Sequence, residues 1–336
     1  MVETSRRAFM LATVGATLAA GMTSARAAGE GGLRLVAFER KNQPGMRVGV
    51  VLAGDTVVDF VDAKKAGAAL DFDPSSMIAL IAAGAPALAQ VRALAAKPGA
   101  TLALADLRLH SPIPRPPRNI FAVGWNYLEH FNESETAQKT AQQNYPEHPV
   151  FFSKASHSMN GPFDPIPFDP AVSTLIDWEG ELAVVIGKGG RNIKEADAMD
   201  HVFGYSVIND TTARDVQAKK HGGQWFKGKS LDGHGPMGPW IVTADALDPD
   251  KLHLQTRVNG VVKQDAMTTQ MYFKIPRIIA ELSLGLTLEP GDVIATGTPP
   301  GVGNARKPPE YLKPGDVMET EIEGIGIIRN TITQVA

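Results

Sequence analysis

Short runs of apolar residues, cut by Gly and Pro turns, set the pattern of this chain. Leu33 to Phe38, Arg47 to Leu52 and Thr56 to Phe60 read as strands, with Asn42-Gln43-Pro44-Gly45 and Gly54-Asp55 as the turns between them. Val48, Val50 and Leu52 recur at period two, which turns one face of the second strand inward. The period then becomes helical. Asp73-Pro74 is placed to open a helix over Ser75 to Ala83, and Pro86 to Ala96 reads as a second, Ala-rich helix. These helices hold few functional groups, so residues 33–110 read as a small, mainly structural α/β domain. Residues 111–118, beginning Ser111-Pro112-Ile113-Pro114, have the composition of an extended, semi-rigid linker.

From 119 to 336 the texture is strands and tight turns. Ile120 to Val123, Glu181 to Ile186, Phe203 to Ile208, Pro239 to Val242 and Gln255 to Val258 read as strands. Asn259-Gly260, set between two apolar-alternating runs, is a two-residue hairpin signal. Two helices are expected, Thr211 to Lys220 entered through Asp210, and Ile275 to Leu284. The polar stretch 134–149 is long for a loop inside a compact domain, and such loops often act as lids. The fold class is therefore α+β and β-rich.

Residues 1–27 have a different character. Ser5-Arg6-Arg7-Ala8-Phe9-Met10 is a twin-arginine pattern, no charge follows until Arg26, and Ala25-Arg26-Ala27 is a small-x-small cleavage site. The segment reads as a leader for export of a folded protein to the periplasm or beyond, through the twin-arginine machinery. A membrane anchor is the competing reading, but the uncharged stretch is short and weakly apolar. No later segment reads as a membrane span.

Composition narrows the chemistry. The chain has 336 residues and no Cys, which excludes disulfides, thiolate nucleophiles and Cys-bound metals. A formal net charge of −3 gives no electrostatic argument for a nucleic-acid partner. Any metal must be held by oxygen or imidazole.

Asp177-Trp178-Glu179-Gly180-Glu181 precedes the apolar run Leu182 to Ile186. Glu179 and Glu181, two apart on an incipient strand, point to one face at the edge of a core. Two such carboxylates repel each other and resist desolvation, and a divalent cation relieves both costs. Asp210, at the end of another strand, is placed to add a third oxygen. A solvated strand end plus a helix-capping aspartate fits the same spacing, and spacing alone leaves both open. His130 and Glu133, at i and i+3, can pair as a base and its orienting carboxylate, or simply as surface neighbours. Lys229 lies among Gly and aromatic residues that suggest a partly enclosed turn. The Gly-rich segment Ala295 to Gly303 lacks the Lys and spacing of a phosphate loop. His110, His148, His157, His201, His221 and His253 have no spaced partners and read as structural or surface groups, while His234, close after Lys229, stays open.

Taken in order, these segments resemble the fumarylacetoacetate hydrolase family. The matching motifs are Gly124-Trp125-Asn126-Tyr127 with His130 and Glu133, Asp177 to Glu181, Asn209-Asp210 leading to Thr212 to Gln217, Gly228 to Asp232, Gly235 to Pro239, and Thr296 to Gly301. Each alone is weak; six in order are specific. The resemblance implies a fumarylacetoacetate hydrolase C-terminal-like fold of mixed β-sheets with a small N-terminal α/β domain, usually dimeric. It implies that Glu179, Glu181 and Asp210 hold Mg²⁺ or Mn²⁺, with Ca²⁺ as a further option. His130 and Glu133 would activate water, Lys229 would stabilise or protonate a carbanion, and Gln217 and Thr298 would touch substrate. The implied activity is hydrolysis of a C–C bond in a 2-oxo or 1,3-dioxo acid. Isomerisation, decarboxylation or hydration of 2-oxo-dicarboxylic acids on the same site is the alternative, and a non-catalytic exported 2-oxo acid binding protein is the alternative of another class. Two departures bear on substrate choice. Trp125 stands where several members that handle small acylpyruvates carry Arg, and His234 stands where an apolar aromatic residue is common.

Overall fold

The computed structural model describes residues 32–41, 43–133 and 145–335. The leader 1–27 and most of the expected lid, 134–144, lie outside the described residues.

A mixed sheet of 12 strands forms the frame. Its central path runs Leu102–Ala103, Thr56–Asp59, Gln43–Leu52, Arg34–Arg40, Gly235–Thr243, Val202–Asn209, Gly180–Ile186, Val293–Ala295, Ile120–Gly124 and Val150–Lys154. Neighbours on this path are antiparallel except Val293–Ala295 with Ile120–Gly124, which are parallel. The strand Arg34–Arg40 pairs with Gly235–Thr243 through Arg34↔Val242 and Leu35↔Ile241, so one sheet runs through the N-terminal segment and the rest of the chain. A second sheet of five strands, Val261–Met267, His253–Val258, Val317–Ile322, Gly326–Gln334 and Ile166–Phe168, stacks near the first.

The run Gly180–Ile186 is buried along its whole length because both faces of the main sheet are covered. Leu182, Val184 and Ile186 join one core with Leu254, Ile322 and Ile328 of the second sheet and Ile278 and Ile279 of the helix Ile275–Ser283. Ala183 and Val185 join the opposite core with Leu80, Ile81 and Val91 of the helix Met77–Ala96. The period-two alternation is present but hidden, since neither face meets water.

Three expected elements differ in detail. The two N-terminal helices are one run, Met77–Ala96, bent at Gly84, whose φ of 61° and ψ of −142° are non-helical. Its cap is Ser76, whose Oγ accepts from Ala79 N at 3.1 Å; Asp73 instead accepts from Ser75 N and Oγ. This run is, among the described residues, one helix long and apolar enough to cross a membrane, where the sequence suggested none after the leader. It is broken at Gly84, and Met77, Leu80, Ile81, Ala87 and Val91 are buried in the second core. The third difference is at Asp210. Thr212–Ala213 pairs with Ile176–Asp177, so the helix begins later, at Arg214–Lys219. The Thr212 hydroxyl donates to Asp210 O at 2.7 Å, which holds this turn open ahead of the helix. The Asn259-Gly260 hairpin forms as the sequence suggests, with φ of 52° and 77° and Val258 opposite Val261.

Candidate metal centre

Two neighbouring strands bring three carboxylates together. Gly180 pairs with Asn209 and Glu181 with Ile208, so Glu179, just before one strand, meets Asp210, just after the other. Asp210 N donates to Glu179 O at 2.8 Å, and Glu179 N donates to Asn209 Oδ1 at 3.1 Å. Between the two glutamates only glycine fits. A Cβ on Gly180 would stand 2.2 Å from Thr256 Oγ1 of the second sheet. Glu179, Glu181 and Asp210 are all buried, and a ligand oxygen from each lies within 4.8 Å of the others.

Two buried lysines and the largely buried Arg214 answer part of this charge. Lys229 Nζ lies 2.5 Å from Glu179 Oε2 and 2.8 Å from Asp210 Oδ2. Lys154 Nζ lies 2.7 Å from Asp210 Oδ1 and also donates to Lys229 O. Arg214 joins Glu179 Oε1 at 2.6 Å to Asp177 Oδ2 at 2.8 Å. Burial resists ionisation of Glu179, but Lys229 and Arg214 outweigh it and hold that carboxyl below the ordinary range. Burial lowers Lys154, against the pull of Asp210. Lys229 is raised, because Asp210 and Glu179 outweigh its burial.

Glu181 is the strained member. Burial first, then the charges of Asp210 and Glu179, push its carboxyl well above the usual carboxylate range. Four carboxylates, counting Asp177, face three cations here. The surplus negative charge and the all-oxygen donor set fit a hard divalent cation such as Mg²⁺ or Mn²⁺.

The Gly-rich segment after Val293–Ala295 works as a holder for carboxylates. Gly297 N donates to Glu181 Oε2 at 2.7 Å, Gly301 N to Glu133 Oε2 at 2.9 Å, and Gly303 N to Asp177 Oδ1 at 2.7 Å. Gly301 sits at φ 102°, and a Cβ there would meet Lys263 O at 2.1 Å. Glu133, fixed in this way, stands 2.8 Å from His130 Nδ1 at the end of the short helix Leu128–Glu133. His130 is buried, and its charged form would act on Glu179. A carboxylate-oriented imidazole, a fixed ammonium and an acidic triad therefore share one enclosure.

The profile of the fumarylacetoacetate (FAA) hydrolase C-terminal family matches residues 119–333. The chain belongs to the fumarylacetoacetate hydrolase family. Oxaloacetate tautomerase YisK of Bacillus subtilis (strain 168) is 42% identical over 296 residues, 85% of this chain and 96% of that protein. Among solved structures, the fumarylacetoacetate hydrolase from psychrophilic Exiguobacterium antarcticum superposes with a TM-score of 0.76 at 40% identity, over 90% of this chain and 100% of that one. Maleylpyruvate hydrolase from Sphingobium sp. SYK-6, in complex with manganese(II) and pyruvate, gives 0.71 at 32% identity, with 90% and 100% covered. These are family members with different named reactions.

In this fumarylacetoacetate hydrolase-family chain, Glu179, Glu181, Asp210, Lys229, His130 and Glu133 lie in one region. Gln217 and Thr298 lie next to it but are engaged. Gln217 Oε1 accepts from Arg214 Nη1 at 3.2 Å. The Thr298 hydroxyl donates to Gly180 O at 3.0 Å and accepts from Gln264 Nε2 at 2.7 Å. His234 is buried; its Nε2 is 2.8 Å from Pro167 O, and burial lowers it to about 4. His110, His148 and His253 lie beside acids, at 3.2, 3.1 and 2.5 Å from Glu39, Glu281 and Asp265. Sequence reasoning gave no role to Lys154, Arg214 or Asp177. The signal available for Lys154 was an apolar run, Val150 to Phe152, followed by Ser153 and then the lysine. Arg214 and Asp177 stand inside the quoted motifs without a spacing that marks them as a pair.

Proposed function

We propose that this chain is a divalent-cation-dependent enzyme that interconverts the enol and keto forms of a 2-oxo acid. One observation carries the reading. The Lys229 ammonium is paired with Glu179 and Asp210, and His130, held by Glu133, is near enough to act on Glu179, so an electrophile and a base lie at one carboxylate cluster. The name of the Bacillus subtilis relative supports it.

Glu179, Glu181 and Asp210 would hold Mg²⁺ or Mn²⁺, which supplies Lewis acidity toward the 2-oxo carboxylate. Lys229, fixed between Glu179 and Asp210, places a positive charge where the C2 oxygen gains electron density. His130 moves the proton at C3, with Nδ1 engaged by Glu133 and the other ring nitrogen left for substrate. Over a turnover one proton leaves C3 and one joins the enol oxygen, so composition is unchanged. Burial of the centre keeps bulk water from the enolate.

A second reading is hydrolysis of a C–C bond, and the 2.8 Å His130–Glu133 contact favours it because that pair is suited to activate water. The maleylpyruvate hydrolase neighbour supports the same option. The twin-arginine pattern and the Ala25-Arg26-Ala27 site support export of the folded enzyme. Enol absorbance and product masses, followed over a panel of 2-oxo acids and acylpyruvates with Mg²⁺, separate the two reactions. Tautomerisation should be cation-dependent and fall by about a hundredfold in Lys229→Met, the size of loss typical when one charge-stabilising donor is removed. Acylpyruvate cleavage with no acceleration of any tautomerisation would overturn the first reading in favour of the second.

A further inference from the structure

A row of aromatic rings runs from the ammonium to the imidazole. Lys229 Nζ stands 5.1 Å from the Phe152 ring centre. Phe152 meets Trp225 at 5.2 Å, Trp225 meets Trp125 at 4.9 Å, and Trp125 meets Phe131 at 6.1 Å, each pair edge to face. Phe131 follows His130 on the same short helix. Phe152, Trp225 and Trp125 are each only partly buried, next to a closed, charged centre.

The row is built by backbone features that a casual surface patch would not need. Trp125 sits at φ 55°, a region that bulky L-residues rarely occupy and that tends to persist where function holds it. The Tyr145 hydroxyl donates to the Trp125 carbonyl. The next residue, Asn126, donates to Phe273 O at 3.0 Å and Thr296 O at 2.8 Å and accepts from Phe273 N at 2.8 Å. On the other side of Trp125, Gly124 leaves the space that the Trp225 ring fills. A Cβ there would stand 2.5 Å from that ring.

Charge decides what such a row can accept. Among the described residues, the cations paired with the centre, Lys229, Lys154 and Arg214, are each committed to its carboxylates. Adding a divalent ion to these four carboxylates and three cations leaves one positive charge, and Glu133 beside a neutral His130 cancels it, so the centre has no positive charge to spare for a second substrate carboxylate. A second carboxylate laid against the rings would lose hydration that ring contacts do not replace. A flat uncharged group would instead gain ring contacts and release water.

We propose that this aromatic row is the subsite for the distal end of the substrate, and that the enzyme prefers 2-oxo acids bearing an aryl or other flat, uncharged group at C3 over 2-oxo dicarboxylates. The proposal rests on the keto–enol reading above and narrows its substrate class. With phenylpyruvate the step balances as before, since the enol hydroxyl gives up a proton, C3 gains one, and nothing is oxidised.

The test compares phenylpyruvate with oxaloacetate on the Mg²⁺-loaded full chain, by enol absorbance for turnover and by calorimetry for binding. Phenylpyruvate should have the higher kcat/KM by at least about tenfold, the scale on which a hydrophobic pocket discriminates. Trp125→Ala should shrink that ratio about tenfold, mainly through KM for phenylpyruvate, as expected for lost ring contacts. Trp125→Phe, which keeps a ring, should restore most of it, and Trp225→Leu should shrink it independently. Equal or better use of oxaloacetate, or a ratio unmoved by both Trp125→Ala and Trp225→Leu, overturns the proposal. If neither compound turns over, the keto–enol reading fails by itself. Tighter binding of phenylpyruvate that Trp125→Ala weakens then still upholds the subsite, and equal binding of the two acids overturns it.

Discussion

Glu181 concentrates the electrostatic problem of the centre. It is 1% exposed, it accepts from Gly297 N, and Asp210 and Glu179 crowd it. Its raised carboxyl retains a proton at pH values where a free glutamate has lost one. A cation that binds there must displace that proton. Cation affinity should therefore rise with pH until Glu181 is ionised without help, and then level off. Calorimetry of Mg²⁺ binding across a pH series, in two buffers of different ionisation enthalpy, should report release of up to one proton per ion at the lower pH values, fading as pH rises. Glu181→Gln should abolish the release, and a binding enthalpy independent of buffer in the wild-type chain would contradict the assignment. At this scale the Glu179–Glu181 spacing was readable, because period two places both on one face. Lys154 was not. A lysine at a strand end reads as a surface group, and only the fold shows it fully buried against Asp210.

Elements fix where these side chains point. Lys229 ends the short helix Trp225–Lys229, which packs on the helix Arg214–Lys219. Contact is close at Gly228, where a Cβ would lie 2.5 Å from Gln217 N and 2.7 Å from Gln217 Cα. Backbone cannot yield as a side chain can, so Gly228→Ala must push the two helices apart and carry Lys229 with them. The expected result is a stability loss of about 1–3 kcal/mol, typical of overpacking. The expected fall in kcat/KM is about a hundredfold, the scale set by small displacements of a positioned group. Denaturant unfolding and kinetics on the same sample check both, and wild-type kcat/KM would contradict the account. The strands around the site were legible because apolar runs bounded by Gly and Pro locate them well. The start of the Arg214–Lys219 helix was not, because Thr212–Ala213 is claimed by a bridge to Ile176–Asp177, a contact set by tertiary structure and not by local propensity.

The whole molecule is held by pairings that no local pattern announces. Arg34–Arg40 reads as one more alternating strand, yet it joins Gly235–Thr243 some two hundred residues later and makes the N-terminal segment continuous with the sheet that bears the glutamates. The Gly-rich segment from Ala295 to Gly303 is a similar case. Its composition excluded a phosphate loop, but only the fold shows its amides reaching Glu181, Glu133 and Asp177 at once. Five of the six motifs, by contrast, bring residues to the same centre, while Gly235 to Pro239 lies in the strand that pairs with Val202–Asn209. The central claim is that Glu179, Glu181 and Asp210 form one divalent-cation site, and a Mn²⁺ titration read by the electron paramagnetic resonance of the free ion tests it most directly. The account predicts one tightly bound ion per wild-type chain. It also predicts affinity lowered by at least about a hundredfold in Glu181→Gln and in Asp210→Asn, beyond the effect typical of outer partners. Equal stoichiometry and affinity in the wild type and both variants would contradict it.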